Sequence, residues 1–313
     1  MSKVRLCVSW GYLHHCTHYT TFPRDFRPVR AVLFANSAVL WYILVMDAKL
    51  QAKKQEIRRR VLNYTLMDDN FMTVFFNDDL ECTAFVLQVI LGKPDLKVTQ
   101  AKSQYTIANL KGRSARLDVR ATDDAGKVYD IEIQRADSGA GAKRARYNSA
   151  LMDADETVSG YDMEQLPETF VIFITENDVW NAGLPLYHID RTVRELNVPF
   201  DDKSHIIYVN GKYRGDDPIG SLMHDFSCKE ADDMKSTVLA DKTRRLKTNE
   251  AEVKKMCRAV EELIFDDRME LALENLESGT LSEEQIGKAF HLTPEQVEKV
   301  LELYHRQKVA VQA

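Results

Sequence analysis

Two neighbouring segments with a strict two-residue periodicity constrain the fold of this chain most strongly. Residues 115–122 (ARLDVRAT) and 127–135 (KVYDIEIQR) alternate apolar and polar side chains, and Asp-Asp-Ala-Gly at 123–126 separates them. Such alternation predicts half-buried strands, and a short turn rich in Asp and Gly predicts that they form an antiparallel hairpin. The same alternation places Leu117 and Val119 together on the core side of the first strand.

The opposite face of this predicted hairpin carries acidic side chains. Asp130, Glu132 and Gln134 share one face of the second strand, and a tight hairpin can bring Asp118 beside Glu132. Two carboxylates at close range repel each other unless a cation lies between them. Oxygen ligands of this kind suit Mg²⁺ or Mn²⁺, and the backbone carbonyl of Ile133 is a further candidate ligand. Gln134 is placed to orient a metal-bound water.

The local charge around the hairpin differs from that of the whole chain. Residues 111–146 contain nine Lys and Arg against six Asp and Glu, whereas the chain has a formal net charge of -6. A polyanionic substrate next to a metal site explains this local excess of positive charge. The alternative explanation is an ordinary solvated surface, because acidic and basic residues are common on exposed faces.

The remaining pattern predicts an α/β fold in which helices flank a mixed sheet. Asp68, Asp69 and Asn70 supply capping residues for a helix over 71–76, and Gly92 ends an apolar helix over 81–91. The other predicted elements are a helix over 47–66, a strand over 96–109, a helix over 142–154 after a Gly-rich break, strands over 169–174 and 204–209, and helices after about 225. Capping boxes at Ser282/Gln285 and Thr293/Gln296 predict two short helices near the end.

The first 45 residues differ from the rest because they lack helical or strand periodicity. Residues 1–30 are aperiodic and lead into an apolar run over 31–46, for which three interpretations remain: a short membrane anchor, a buried helix or strand, and a gene start placed too early. We favour the third, with the native start at Met46, and expect no membrane association, because a transmembrane helix needs about 20 apolar residues. Five cysteines, without a CxxC pair, favour a reducing cytoplasm, and the spacing of Cys7 and Cys16 does not match a structural zinc site.

From Leu66 to about Asp233 the sequence resembles the PD-(D/E)XK nuclease family transposases, relatives of the recombination-promoting nucleases. The segments that carry this resemblance, in the family's order, are TLMDDNFMTVFF, GRSARLDVRATDDAGKVYDIEIQRAD, GAGAKRARYNSALMD, LPETFVIFITENDVW, PLYHIDR and HIIYVNGKYRGDDPIGSLMHDFSCKEADDM. The resemblance implies a restriction-endonuclease-like core over 46–226. It also divides the chain into an extension over 1–45 and a helical C-terminal region over 227–313, with a helix-turn-helix-like tail.

The resemblance also assigns residues. Asp118 corresponds to the family's catalytic Asp, Glu132 to its catalytic Glu, and Gln134 to the position of the superfamily's lysine. Glu81 is the candidate for an acidic residue on the first helix that completes the metal site. The implied DNA-binding residues are Arg116, Arg120, Lys143, Arg144 and Tyr147.

Two functions follow from these expectations. The first is a Mg²⁺-dependent DNA endonuclease, for which Mn²⁺ can substitute, acting on double-stranded DNA in recombination or mobile-element biology. A homodimer fits double-strand cleavage, and no organic cofactor is expected. The second is a catalytically degenerate nuclease fold that binds DNA or a protein. Gln134 motivates it, because a glutamine neither carries positive charge nor acts as a base.

Overall fold

The computed structural model describes residues 51–52, 54–109, 112–135, 137–157, 160 and 162–312. The chain divides into two compact units, Met1–Glu56 and Ile57–Ala313, and the second holds the sheet. The predictions for residues 1–45, for the apolar run over 31–46 and for Cys7 and Cys16 lie outside the described residues. None of the described helices is long and apolar enough to cross a membrane.

A mixed six-stranded sheet lies at the centre of the second unit, in the order β1-β2-β3-β4-β8-β5. β3, β4 and β8 are parallel to one another, and the other neighbouring pairs are antiparallel. β6 and β7 form a separate two-stranded pair. The strands are β1 Val98–Ile107, β2 Ala115–Asp123, β3 Val128–Gln134, β4 Thr169–Thr175, β5 Leu186–Ile189, β6 Thr192–Val193, β7 Val198–Pro199 and β8 Ser204–Asn210.

The predicted β-hairpin is confirmed, because β2 and β3 pair antiparallel with Val119 opposite Ile131. The predicted central strand is confirmed too, since every residue of β4 is buried, as expected for a strand covered on both faces. β5, β6 and β7 were not predicted. They are two to four residues long and mostly exposed, so they leave no periodic pattern in the sequence.

Several of the described helices cover one face of the sheet and share the larger core with it, and Ile57 and Val61 of the helical segment over 54–63 belong to the same core. These helices include α1 Asp69–Phe76, α2 Leu80–Leu91, α4 Pro218–Ser227, α5 Thr237–Thr248 and α6 Glu250–Glu277. Gly92 has a φ of 64° and ends α2 as predicted, because glycine adopts this left-handed conformation without strain. Leu239, Leu246 and Val260 belong to this core, so helices after residue 227 contribute to the same core as the sheet, with α5 against α2 and α6 against α1.

The opposite face of the sheet packs against α3, Ala142–Asp155, around a second core. Alternate residues of β4 show the division, because Ile172 faces the first core and Phe173 faces the second. The end of α6 packs with α7, Glu283–Ala289, and α8, Pro294–Gln312, in a third small cluster. The reciprocal hydrogen bonds of both predicted capping boxes are present.

The buried side chains of β2 divide between the two cores on either side of Asp118. Leu117 lies in the second core and Val119 in the first, so the prediction that both side chains share a face is wrong. On the neighbouring strand, Gln104 has a φ of 52°, and the pairing skips the position between Val119 and Leu117. Burial still alternates without a break along β2, so the two side chains join different cores without any change in that pattern.

Candidate active site

Asp118 and Glu132 meet where the β2–β3 ladder ends. Continuing the register of Val119 with Ile131 by one residue sets Asp118 opposite Glu132, as the sequence predicted. The Asp118 carboxylate accepts a hydrogen bond of 2.9 Å from the backbone amide of Ile133, in place of a strand partner. The carboxylate is therefore fixed at the edge of β3, within the electrostatic influence of Glu132.

A third carboxylate, Asp130, lies on the same face of β3 as Glu132, and both are fully buried beneath α3. The side-chain amide of Asn148 on α3 donates to Asp130 at 3.0 Å and to Glu132 at 3.2 Å. Asp130 Oδ1 has no hydrogen-bond partner among the described residues. The Asp-x-Glu-x-Gln alternation already placed Asp130 on this face, but no pattern assigned it a role, and no sequence signal pointed to Asn148.

Burial dominates the ionisation of all three carboxyl groups. It raises the pKa of Asp118 well above its ordinary value, and the charges of Glu132 and Asp69 raise it further. It raises the pKa of Asp130 to about 7, although the hydrogen bond from Asn148 opposes the shift. The pKa of Glu132 rises to about 8, through burial first and the charge of Asp130 second, against the opposing charge of Arg144.

Gln134 and Arg144 complete the polar cluster on the outer side of Glu132. The Arg144 guanidinium pairs with Glu132 Oε2 at 2.5 Å and donates to Gln134 Oε1 at 3.3 Å and to the carbonyl of Gly139 at 3.1 Å. Gln134 Nε2 donates to Glu132 Oε2 at 3.2 Å. A Cβ at position 139 would lie 1.9 Å from Gln134 Oε1, so Gln134 keeps its present position only while residue 139 is glycine.

These groups fit a divalent cation. Three carboxylates raise one another's pKa, and one of them keeps a buried oxygen without a partner, as expected where a cation supplies the missing charge. In a strand, the N–H and C=O of one residue lie on the same edge, so the Ile133 carbonyl faces the side of Asp118. Asp118, Glu132 and Ile133 therefore offer hard oxygen ligands of the kind that Mg²⁺ and Mn²⁺ prefer.

Comparison with known proteins identifies the domain that holds this cluster. The family model described as PD-(D/E)XK nuclease family transposase matches residues 71–212. Residues 71–212 are a domain of this family. No curated protein and no solved structure matches the chain significantly. The mixed sheet flanked by helices is consistent with the restriction-endonuclease-like fold of PD-(D/E)XK nucleases, which act on nucleic acids and typically use divalent metal ions.

An acidic residue of α1, Asp69, acts electrostatically on Asp118. Asp69 lies in the first turn of α1, and its charge raises the pKa of Asp118. Glu81 is exposed in the first turn of α2, and the described contacts do not join it to Asp118 or Glu132. The place of Glu81 in the metal site therefore stays a prediction. The Asp-Asp-Asn sequence at 68–70 was interpreted only as a capping signal, so the interaction of Asp69 with Asp118 was not predicted.

We expect Asp69→Asn to raise the Mg²⁺ concentration needed for half-maximal DNA cleavage by roughly tenfold, because one carboxylate near Asp118 is lost. Glu81→Gln is the matched control, since it removes the first-turn acid of the next helix and should change this concentration less than twofold. Each substitution should cost less than about 1 kcal/mol of stability through the helix dipole. Loss of cleavage in Glu81→Gln together with normal cleavage in Asp69→Asn would favour Glu81 over Asp69 at the metal site.

The five basic and aromatic residues predicted to bind DNA have different surroundings in the PD-(D/E)XK domain. Arg120 is mostly buried, pairs with Glu156 and lies over the ring of Tyr105, so its contacts do not support the prediction that it binds DNA. Arg144 faces the carboxylates, as described above. Arg116 pairs with Glu270 of α6 at 3.4 Å and keeps about half of its side chain exposed.

The remaining two residues lie on α3. Lys143 is exposed at its N-terminal end. Tyr147 donates a hydrogen bond to the carbonyl of Arg113 and accepts one of 3.1 Å from the side chain of Asn109. Tyr147 therefore ties the connection between β1 and β2 to α3, and this contact positions the loop that carries Arg113.

A second group of metal-type ligands lies outside the family match, at the end of α4. The ligand atoms of His224, Asp225 and Cys228 lie within 4.8 Å of one another, a proximity that the sequence did not predict. Asp225 is fully buried and accepts the backbone amides of Lys235 and Ser236 at 2.7 and 2.8 Å. These hydrogen bonds give Asp225 a structural role, because they hold the segment that leads into α5.

Proposed function

We propose that this protein is a metal-dependent endonuclease that hydrolyses phosphodiester bonds of double-stranded DNA, with Mg²⁺ as its metal and Mn²⁺ as a substitute. The observation that carries the proposal is the buried cluster of Asp118, Asp130 and Glu132 at the end of β3. In this cluster the carboxyl groups raise one another's pKa and Asp130 keeps an oxygen without a partner. Buried carboxyl groups with raised pKa values cost stability. Natural proteins therefore retain such an arrangement mainly at functional sites.

Asp118, Glu132 and the Ile133 carbonyl would hold the metal. When bound, a divalent cation supplies a water of lowered pKa and neutralises charge on the phosphodiester. The side-chain amide of Asn148 on α3 donates a hydrogen bond to Glu132 and so fixes its orientation. The same amide donates a second hydrogen bond to Asp130. Gln134 lies beside Glu132 and is placed to hold the attacking water by a hydrogen bond.

Arg144 supplies the positive charge that Gln134 lacks. Its guanidinium lies beside Gln134 and Glu132, and about 40% of its side chain is exposed to solvent. An arginine at this place binds a phosphate oxygen in a bidentate manner and stabilises the charge that develops on it. Arg144 thus takes over the electrostatic part of the lysine's role, while activation of the water falls to the metal.

The biological setting is proposed on the family's name and on composition. A role in recombination or mobile-element biology follows from the word transposase, and a reducing cytoplasm from the cysteine content. A homodimer would supply two centres for cutting both strands. These proposals are independent of the chemistry at Glu132.

The second candidate function is a nuclease fold that binds DNA without cutting it. The pairing of Arg144 with Glu132 favours it, because the guanidinium already compensates the charge that a metal would otherwise neutralise. In this case Asp118→Ala would leave DNA affinity unchanged and no variant would alter plasmid integrity.

Plasmid cleavage by the full chain tests the proposal. With Mg²⁺ or Mn²⁺ we expect supercoiled DNA to be converted to nicked or linear forms, and EDTA should abolish the conversion. Asp118→Ala should lower the rate by on the order of 10³-fold, because a metal ligand is lost. Asp124→Asn, at an exposed position in the β2–β3 turn, is the matched control and should cut normally. Intact plasmid with both metals would refute the endonuclease.

A further inference from the structure

An exposed tryptophan lies at the edge of the sheet where the candidate active site opens. Trp180 belongs to the connection between β4 and β5, and 49% of it is exposed. This connection begins beside Gln134, because the amide of Glu176 donates to the Gln134 carbonyl at 2.9 Å. The carboxyl ends of parallel strands β3 and β4 share one edge of the sheet, and the loop therefore starts at the site itself.

The loop that carries Trp180 is held in one conformation by Asp178. The Asp178 carboxylate accepts the backbone amide of Trp180 at 3.1 Å, that of Gly183 at 2.7 Å and the hydroxyl of Tyr187 at 2.7 Å. These hydrogen bonds close a tight turn. The position of the indole is thus fixed by the fold before any ligand arrives.

The indole ring also packs on aromatic side chains that reach towards Arg144. It meets Tyr208 edge-on, with ring centroids 4.9 Å apart, and lies 4.8 Å from the ring of Tyr187. The Tyr208 hydroxyl donates to the carbonyl of Ala140 at 2.9 Å, and the preceding residue, Gly139, accepts a hydrogen bond from Arg144. Three contacts and one peptide bond therefore connect Trp180 to the side chain that pairs with Glu132.

A half-exposed indole connected in this way to a proposed phosphate-binding arginine suits one kind of ligand. Nucleobases stack on aromatic side chains irrespective of sequence, because every base presents a flat π-face. Bases inside a duplex are already stacked on their neighbours, so only an unpaired base can offer that face. The aromatic ring and the guanidinium together match a nucleotide, with its base on one and its phosphate near the other.

We propose that Trp180 is a stacking platform for an unpaired base of the DNA substrate, next to the phosphodiester that is cut. This inference rests on the proposed function and narrows its substrate to DNA with a single-stranded segment at the cleavage position, such as a flap, a gap or a locally opened duplex. The duplex part of such a substrate would be bound elsewhere on the domain.

Fluorescence polarisation in the Asp118→Asn background, with Mg²⁺ and at one fixed salt concentration, tests this platform without cutting the probe. The probes are a labelled 12-nucleotide single strand and the duplex of the same sequence. Trp180→Ala should weaken binding of the single strand by roughly 5- to 100-fold and of the duplex by less than about twofold. Trp180→Phe should keep most of the affinity, because a ring remains. Leu196→Ala, at an apolar residue that is 70% exposed, is the matched control and should bind like the background protein.

Tryptophan fluorescence gives a second measurement that does not depend on removing the ring. The chain has three tryptophans, so the difference between the background protein and Trp180→Phe isolates the signal of Trp180. We expect the single strand to quench this signal and the duplex to leave it unchanged. The proposal is overturned if Trp180→Ala binds the single strand as tightly as the background protein, or if both probes lose affinity equally.

The two proposals can fail separately. A wild-type protein that cuts plasmid while Trp180→Ala keeps full single-strand affinity would remove the platform and leave the endonuclease. Intact plasmid together with a selective loss of single-strand binding in Trp180→Ala would remove the endonuclease and leave the platform as part of a DNA-binding protein.

Discussion

Replacing Glu132 by glutamine should abolish DNA cleavage and at the same time stabilise the metal-free protein. Cleavage is lost because an amide is a weak metal ligand, and we expect the rate to fall by on the order of 10³-fold. Stability rises because Glu132 is fully buried and its pKa is about 8 in the folded protein, well above that of an unfolded chain. Glutamine keeps the shape but has one acceptor oxygen, so it retains the hydrogen bond from Arg144 or the one from Asn148 and loses the other, which offsets part of the gain.

The raised pKa of Glu132 makes the stability gained by Glu132→Gln depend on pH. A carboxyl group whose pKa is raised by folding costs stability progressively from the unfolded pKa, about 4.3, up to the folded one. The gain from Glu132→Gln should therefore be small near pH 4.5 and grow until about pH 8. Loss of the charge pairing with Arg144 offsets part of it, so we expect a rise in melting temperature of roughly 3–8 °C at pH 8.

Thermal unfolding in EDTA at several pH values, together with the plasmid assay, measures both effects. Asp124→Asn, which removes an exposed carboxylate of the same hairpin, should change neither the melting temperature nor the rate. A Glu132→Gln protein that is less stable than the wild type at pH 8 would show that the carboxylate contributes to folding rather than to the chemistry.

The hairpin, its turn and the pairing of Asp118 with Glu132 could be predicted from the sequence because they depend on local periodicity. The alternation of 115–122 and 127–135 places side chains on faces, and the short turn sets the register. The prediction fails for Leu117 and Val119, which join different cores although burial alternates without a break along β2. Which of two cores a buried side chain joins leaves no pattern in the sequence.

The residues missed or misassigned at the site are those positioned by packing between distant elements. Asn148 reaches the carboxylates only because α3 lies over β3, and Asp69 approaches Asp118 only because α1 packs near β2. Strand periodicity predicted an exposed Arg120 that could bind phosphate. It could not predict the ion pair with Glu156, which is 36 residues away in the sequence. Such contacts require the tertiary arrangement, and a single sequence does not provide it.

Divalent cations should stabilise the wild-type protein much more at pH 8 than at pH 6. Without metal, Asp130 and Glu132 retain protons up to pKa values of about 7 and about 8 because they are buried. A metal ion needs the deprotonated ligands, so binding must displace these protons. Each displaced proton makes the metal affinity change tenfold per pH unit below the ligand's pKa, and we therefore expect Mg²⁺ or Mn²⁺ to bind at least about tenfold more weakly at pH 6.

The raised pKa values of Asp130 and Glu132 also affect the metal-free protein, because ionising these buried groups costs stability. Its melting temperature should therefore fall as pH rises from about 4.5 to 8. Saturating Mn²⁺ should reverse this fall, and calorimetry in buffers of different ionisation enthalpy should detect the release of protons on binding. In Glu132→Gln one of the displaced protons is absent, so the pH dependence of the metal-induced shift should become shallower. Equal stabilisation at pH 6 and pH 8, or an unchanged dependence in Glu132→Gln, would mean that the cation binds elsewhere and that the buried carboxylates do not hold it.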